Sequence, residues 1–199
     1  MKIKWESFGY EVVAGVDEAG RGCLAGPVYA AAAILRPNYR LRNCTDSKLI
    51  DPELRHKLAI RIKEESLCWA IGIATVEEIE TINILRASLL AMHRAVQKLI
   101  PVPEMVLIDG NQKIPGDWNQ MTIIEGDLKC LPISAASILA KTERDLFMKE
   151  LHERFPGYSL DKHKGYGTPE HRRAIATLGP SSIHRKTFAG VKEFLGLSK

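Results

Sequence analysis

The chain has 199 residues, 45% of them apolar and 26% charged, with a net charge of +4 and four cysteines. That length suffices for a core that needs no disulfides, and the composition excludes a disordered or low-complexity polypeptide. No apolar run is long enough to cross a bilayer, and Met1–Glu6 lacks the apolar core of a signal peptide, so the expectation is a cytoplasmic protein. Cys23, Cys44, Cys68 and Cys130 are scattered with no Cys-x-x-Cys, which reads as free thiols rather than a disulfide framework.

Charge is uneven along the chain. Residues 129–199 carry 13 Lys/Arg against 7 Asp/Glu, and residues 1–128 carry 15 against 17. A basic C-terminal third beside an acidic first part fits a protein that binds a polyanion with one surface and metal with another, although a plain solvated face would look the same.

In chain order, Val12, Val13, Ala14 and Val16 form a short apolar run that reads as a buried strand ending on Asp17 and Glu18. Glycines at 20, 22 and 26 follow, and such positions let backbone come close to a ligand. Residues 28–35 read as a second strand, since Pro27 and Pro37 flank a run too short for a helix. Asp51-Pro52 opens a helix to about Glu65. A third strand covers 67–75. Thr75 with Glu78 makes a capping box, and Asn83 caps a helix over 84–99.

Further along, residues 105–108 read as a fourth strand ending on Asp109-Gly110, and 121–124 as a fifth ending near Asp127. A long helix is expected over about 132–154, with small residues early (Ser134, Ala135, Ala136, Ser137, Ala140) that would let it lie close to the sheet. Residues 158–167 read as a basic, glycine-containing loop, and Thr168-Pro169 opens a helix to about Leu178. The expected architecture is one α/β domain over 1–199, a mixed central β-sheet flanked by helices, with a short helical part over about 158–199.

The chemistry lies in the acids. If the first and fourth strands are parallel neighbours, Asp17, Glu18 and Asp109 leave the same sheet edge, and Asp127 could join them. Converging carboxylates require cations, and oxygen ligands without a Cys or His pattern favour Mg²⁺ or Mn²⁺ over Zn²⁺. Two such ions can activate water against a phosphodiester. Pattern alone leaves plainer readings open: Asp-Gly is a common turn, and Asp127 by itself suits an exposed surface.

Six segments in order resemble the ribonuclease HII family: DEAGRG at 17–22 with LAGPV at 24–28, DSK at 46–48, IDG at 108–110, GD at 126–127, AAS-I-x-AK at 135–141, and HKGYGT at 163–168. The resemblance implies an RNase H-like fold, with Asp17, Glu18, Asp109 and Asp127 holding the catalytic metals. It implies that Gly20, Arg21 and Gly22 read a ribonucleotide 2′-OH through backbone and that Tyr166 stacks on the sugar at the RNA-to-DNA junction. Ser47, Lys48, Lys164, Arg172 and Arg173 then read as phosphate contacts. The implied substrates are RNA·DNA hybrids and DNA containing ribonucleotides. His163 and His184 read as members of hydrogen-bond networks, since a metal-activated water needs no general base.

One departure is visible: many family members carry Pro where this chain has Cys23, which changes loop stiffness. The tail, residues 188–197, is a packed terminal helix or a docking segment for a sliding clamp; a monomer is expected. Two other readings remain at this point. A non-catalytic hybrid-binding module predicts a missing carboxylate, and none is missing. The sister family, ribonuclease HIII, typically replaces the Arg of the GRG loop and carries an N-terminal substrate-binding domain.

Overall fold

A computed structural model describes residues 3–41 and 50–196. Five strands form one sheet: β1 (Val13–Ala19), β2 (Val28–Ile34), β3 (Cys68–Ala74), β4 (Met105–Asp109) and β5 (Asn119–Ile123). Their order is β3-β2-β1-β4-β5, antiparallel across the first three and parallel across β1, β4 and β5. This is the expected mixed sheet. The helices are α1 (Pro52–Glu65), α2 (Val76–Gln97), α3 (Gly126–Lys129), α4 (Leu131–Arg154), α5 (Leu160–His163) and α6 (Pro169–Leu178).

Helices cover both faces of the sheet, which explains why every residue of β2 is buried and why its alanines can form a strand. On one face Val13, Ala31, Ala33 and Leu107 pack against Ile133, Ala136 and Ala140 of α4 and Leu58 and Ile62 of α1. On the other, Ala14, Val16, Ala30, Ala32 and Ile108 pack against Ala87, Ala91 and Ala95 of α2. The expected close approach of α4 is real, and the strand contributes to it. A Cβ on Gly15 would stand 2.1 Å from the carbonyl carbon of Pro132, so α4 begins directly on top of β1.

Local signals held where they were strictly local. Asp51 accepts from the N–H groups of Glu53 and Leu54 with Pro52 next to it, and Thr75 and Glu78 form the reciprocal capping box. Asn83 has φ 69° inside α2 and accepts from the Arg86 N–H, so the segment is two helices joined at a kink. Of the departures from expectation, three bear on the site and its surroundings. β1 runs on to Ala19, because Asp17, Glu18 and Ala19 keep pairing with Ala31, Ala30 and Tyr29 of β2. Asp127 lies in the first turn of α3, a four-residue helix too short to carry a periodic signal. The segment 158–167 is not loop throughout, since α5 and a 3₁₀ turn at Pro156–Tyr158 occupy part of it.

Candidate active site

Parallel pairing of Val16 with Ile108 brings the ends of β1 and β4 side by side. Asp17 and Asp109 are the residues immediately after that pair. Asp17 is 5% exposed, and burial holds its carboxyl well above the usual range, with Glu18 and Asp109 adding repulsion. Against that, the Ser137 hydroxyl of α4 and the Glu18 N–H donate to it, the latter at 2.7 Å. Burial raises Glu18 as well; the Arg21 guanidinium at 3.4 Å opposes the shift and Asp109 reinforces it.

Asp127 reaches this corner through backbone. Asp109 Oδ1 accepts the Gly126 N–H at 2.7 Å and the Asp127 N–H at 3.4 Å, which fixes α3 to the end of β4. Gly126 packs closely here: a Cβ would meet the end of the Ile133 side chain at 2.6 Å and Asp109 Oδ1 at 3.2 Å. Among the described residues no group of three or more His, Cys, Asp or Glu side chains is arranged to hold a metal ion. The chemistry of the donor set nonetheless fits a hard divalent cation. Asp17, Glu18 and Asp109 repel one another in a buried corner with one arginine as local compensation, and every available ligand atom is oxygen.

Beside the acids is a cavity of about 250 Å³ lined by Glu18, Gly20, Arg21, Gly22, Ser137, Lys141 and Tyr166. A larger hollow of about 530 Å³ lies between the N-terminal turn and α3, but Asp17, Glu18 and Asp109 do not line it. The smaller cavity thus gathers the glycine loop and the tyrosine against one of the acids. Tyr166 pairs with Cys23 in an isolated β-bridge, and Lys141 Nζ stands 5.3 Å from its ring centre. Lys141 is held from the other side by Asp145 at 2.7 Å, which also takes Arg55 at 2.8 Å.

The glycine loop is shaped by two buried arginines. Arg185, fully buried, donates to the carbonyls of Gly20 (2.8 Å), Arg21 (2.9 Å) and Gly26 (2.8 Å). Burial brings its guanidinium down to about 10, and it stays cationic at neutral pH. Arg144 donates to Pro27, Ala25 and Lys164 carbonyls and lies where a Cβ on Gly20 would need to be, 1.9 Å from its Nε. A trans peptide sets N–H opposite C=O. With the Gly20 and Arg21 carbonyls drawn to Arg185, the N–H groups of Arg21 and Gly22 therefore point away from it. Neither amide has a partner within the protein among the described residues.

The other expected contacts divide. Lys164 is half-buried, folds its ammonium back on the Asp161 carbonyl, and lines a separate basin with Asp145 and Lys149. Arg172 is exposed and donates to the Gly167 carbonyl at 3.0 Å, while Arg173 is exposed on the same helix. Ser47 and Lys48 lie outside the described residues. In the tail, Val191 is buried and Phe188 packs under Arg185 at 5.1 Å, whereas Phe194 and Leu195 are exposed. The AAS-I-x-AK run contains Ser137 and Lys141 without revealing what they touch. Arg185 carries no sequence signal, because its partners are 159 to 165 residues away.

The family profile described as Ribonuclease HII matches residues 14–191. The chain belongs to the ribonuclease HII family. It is 48% identical over 187 residues to the Ribonuclease HII of Syntrophotalea carbinolica, covering 94% of this chain and 90% of that one. Its fold is similar to the crystal structure of the ribonuclease H2 from Pyrococcus horikoshii, with a TM-score of 0.77, 24% identity and coverage of 92% and 96%. It is also similar to the RNase HII in the PCNA:RNase HII complex from Archaeoglobus fulgidus, with a TM-score of 0.72, 25% identity and coverage of 89% and 95%. The mixed sheet is thus the RNase H-like fold, and membership makes the chain a metal-dependent endoribonuclease acting on the RNA strand of RNA·DNA hybrids. No helix among the described residues is long and apolar enough to cross a membrane.

Proposed function

We propose that this chain also incises duplex DNA on the 5′ side of a single embedded ribonucleotide, leaving 3′-OH and 5′-phosphate ends. Asp17, Glu18, Asp109 and Asp127 would hold two divalent cations, Mg²⁺ or Mn²⁺. When bound, such ions supply an activated water and offset charge on the leaving oxygen. The observation that carries the reading is the shared cavity, which Tyr166 and Glu18 line together with Arg21 and Gly22, whose peptide N–H groups point away from Arg185.

Each residue then has a task that its surroundings support. The Arg21 and Gly22 amides offer donors to a sugar hydroxyl at a place where a side chain would block approach. Tyr166 offers a face for the adjoining sugar, and Lys141, fixed by Asp145, stands where a phosphate would pass. Ser137 and the Glu18 N–H orient the Asp17 carboxylate. Arg172 and Arg173, both exposed on α6, are proposed to meet the nucleic-acid backbone further along, and Ser47 and Lys48 are proposed for the same role. Lys164 would have to leave the Asp161 carbonyl before it could contribute. For a sliding clamp, the exposed Phe194 and Leu195 are the proposed docking residues, since Phe188 is already packed.

The test compares two labelled substrates in Mg²⁺: a duplex with one ribonucleotide and a long uniform hybrid. Equal or better cutting of the lone site, at its 5′ phosphodiester, is the expected result. Cutting restricted to the uniform hybrid would overturn the ribonucleotide reading.

A further inference from the structure

Behind Tyr166, away from the cavity, three histidines pack together at nearly full burial. His171 and His184 are 0% exposed and His163 is 9% exposed. His163 and His171 stack at 4.3 Å, and the Tyr158 ring meets His184 edge-on at 4.7 Å. The hydrogen bonds join the C-terminal segment to the tyrosine in one line. The Ser181 N–H lies 3.1 Å from His184 Nδ1, His184 Nε2 lies 3.1 Å from His171 Nε2, and His171 Nδ1 lies 3.0 Å from the Tyr166 carbonyl.

The two ends of that line fix every proton between them. A peptide N–H can only donate, so His184 Nδ1 is the acceptor and its Nε2 carries the hydrogen. His171 Nε2 must then accept, its hydrogen resides on Nδ1, and it donates to the Tyr166 carbonyl. That carbonyl also accepts the Thr168 N–H at 2.8 Å. His163 obeys the same logic on its own: Gly165 N–H donates to its Nδ1, so its Nε2–H donates to the Tyr158 carbonyl. Burial favours the neutral form of all three rings, bringing His171 and His184 down to about 4, and the hydrogen-bond partners then assign their tautomers.

Sequence adjacency gives the line its purpose. His184 precedes Arg185, and the two act on two segments that line one cavity. Arg185 grips the carbonyls of the glycine loop, while His184 reaches the Tyr166 peptide through His171. The same segment is tied to the loop by Gly26 N–H to the Ile183 carbonyl (2.9 Å) and Arg185 N–H to the Leu24 carbonyl (2.8 Å). The 183–185 segment thereby holds both the hydroxyl-reading amides and the stacking ring, beside the direct bond from Leu24 N–H to the Gly165 carbonyl (2.8 Å) and the bonds of Arg144 to both segments. We propose that His184, acting through His171, is a positioning residue for Tyr166 and determines how strictly the enzyme prefers a ribonucleotide-to-DNA junction. This rests on the reading of Tyr166 as substrate-facing.

The test has two arms. In the wild-type protein at pH 7, ¹⁵N NMR of the imidazoles should show hydrogen on Nδ1 of His171 and on Nε2 of His163 and His184. Hydrogen on Nε2 of His171 would overturn the proposal without reference to activity. In the second arm, the ratio of kcat/KM on a lone-ribonucleotide duplex to that on a uniform hybrid is measured for His171→Leu, His184→Leu, His171→Asn, His184→Gln and Tyr166→Ala. Losing one oriented hydrogen bond should lower the ratio about ten-fold in both Leu variants, through KM rather than kcat. The Asn side chain keeps a donor toward Tyr166 and the Gln side chain keeps a donor toward His171, so both should recover most of the ratio. A ratio lowered in Tyr166→Ala but unchanged in both Leu variants removes the positioning inference alone. An unchanged ratio in Tyr166→Ala removes the substrate-facing reading and this inference with it.

Discussion

Oδ1 of Asp109 accepts the peptide N–H of Gly126 at 2.7 Å, and this bond ties the short helix carrying Asp127 to the end of β4. An acid proposed to hold metal is therefore also the anchor of its neighbour. The two tasks can be separated. Asn at position 109 still offers an oxygen to Gly126 but loses the negative charge. Asp109→Asn should fold with unchanged stability, bind hybrid within a few-fold of wild type, and lose cleavage by about 100-fold or more. Gel-shift and cleavage assays on one preparation check both halves.

Arg185 contributes hydrogen bonds to three loop carbonyls from a fully buried position. Arg185→Leu strands those acceptors and should lower unfolding stability by about 3 kcal/mol in urea titrations. Arg185→Lys keeps the charge without the planar fork and should recover only part of the loss.

Gly15 and Gly22 make opposite predictions from the same substitution. A methyl at Gly15 meets main-chain atoms of Pro132 and Ile133 at 2.1 and 2.4 Å, and neither can move aside without shifting α4. Gly15→Ala should cost about 3 kcal/mol and reduce activity, since Asp17 and Ser137 would lose register. At Gly22 nothing lies within 4 Å of the added carbon. Gly22→Ala should leave the melting temperature unchanged while weakening cleavage of lone ribonucleotides, because the methyl enters the cavity.

Stability should depend on pH through the paired histidines. His171 and His184 titrate near 6.5 in the unfolded chain and at about 4 when folded, because burial disfavours the charged rings, with added repulsion from His163 on His171 and from His171 on His184. The unfolded state thus binds more protons between those values. Stability should be full above pH 6.5, fall as pH drops toward 4, and level off below. Denaturation of the double variant His171→Leu/His184→Leu should show a shallower slope across that window.

Local chemistry was legible in the sequence, and distant chemistry was not. Asp51, Thr75 with Glu78, and Asn83 cap helices with atoms three residues away or closer, so their patterns sufficed. Asp17, Glu18 and Asp109 were visible because each follows a short apolar run, although β1 carries on to Ala19 and only Asp109 ends its strand. α3 was not, since Glu125 enters it in the left-handed conformation and four residues carry no period. The roles of Arg185 and of the His184–His171 pair depend on loops that meet only after folding, and no spacing encodes that.

The most direct measurement is anomalous diffraction from crystals soaked in Mn²⁺. Manganese is expected within coordination distance of the Asp17, Glu18, Asp109 and Asp127 carboxylates, and it should be lost from the Asp109→Asn protein. Crystals that bind manganese elsewhere and leave those four carboxylates bare would contradict the metal-site reading.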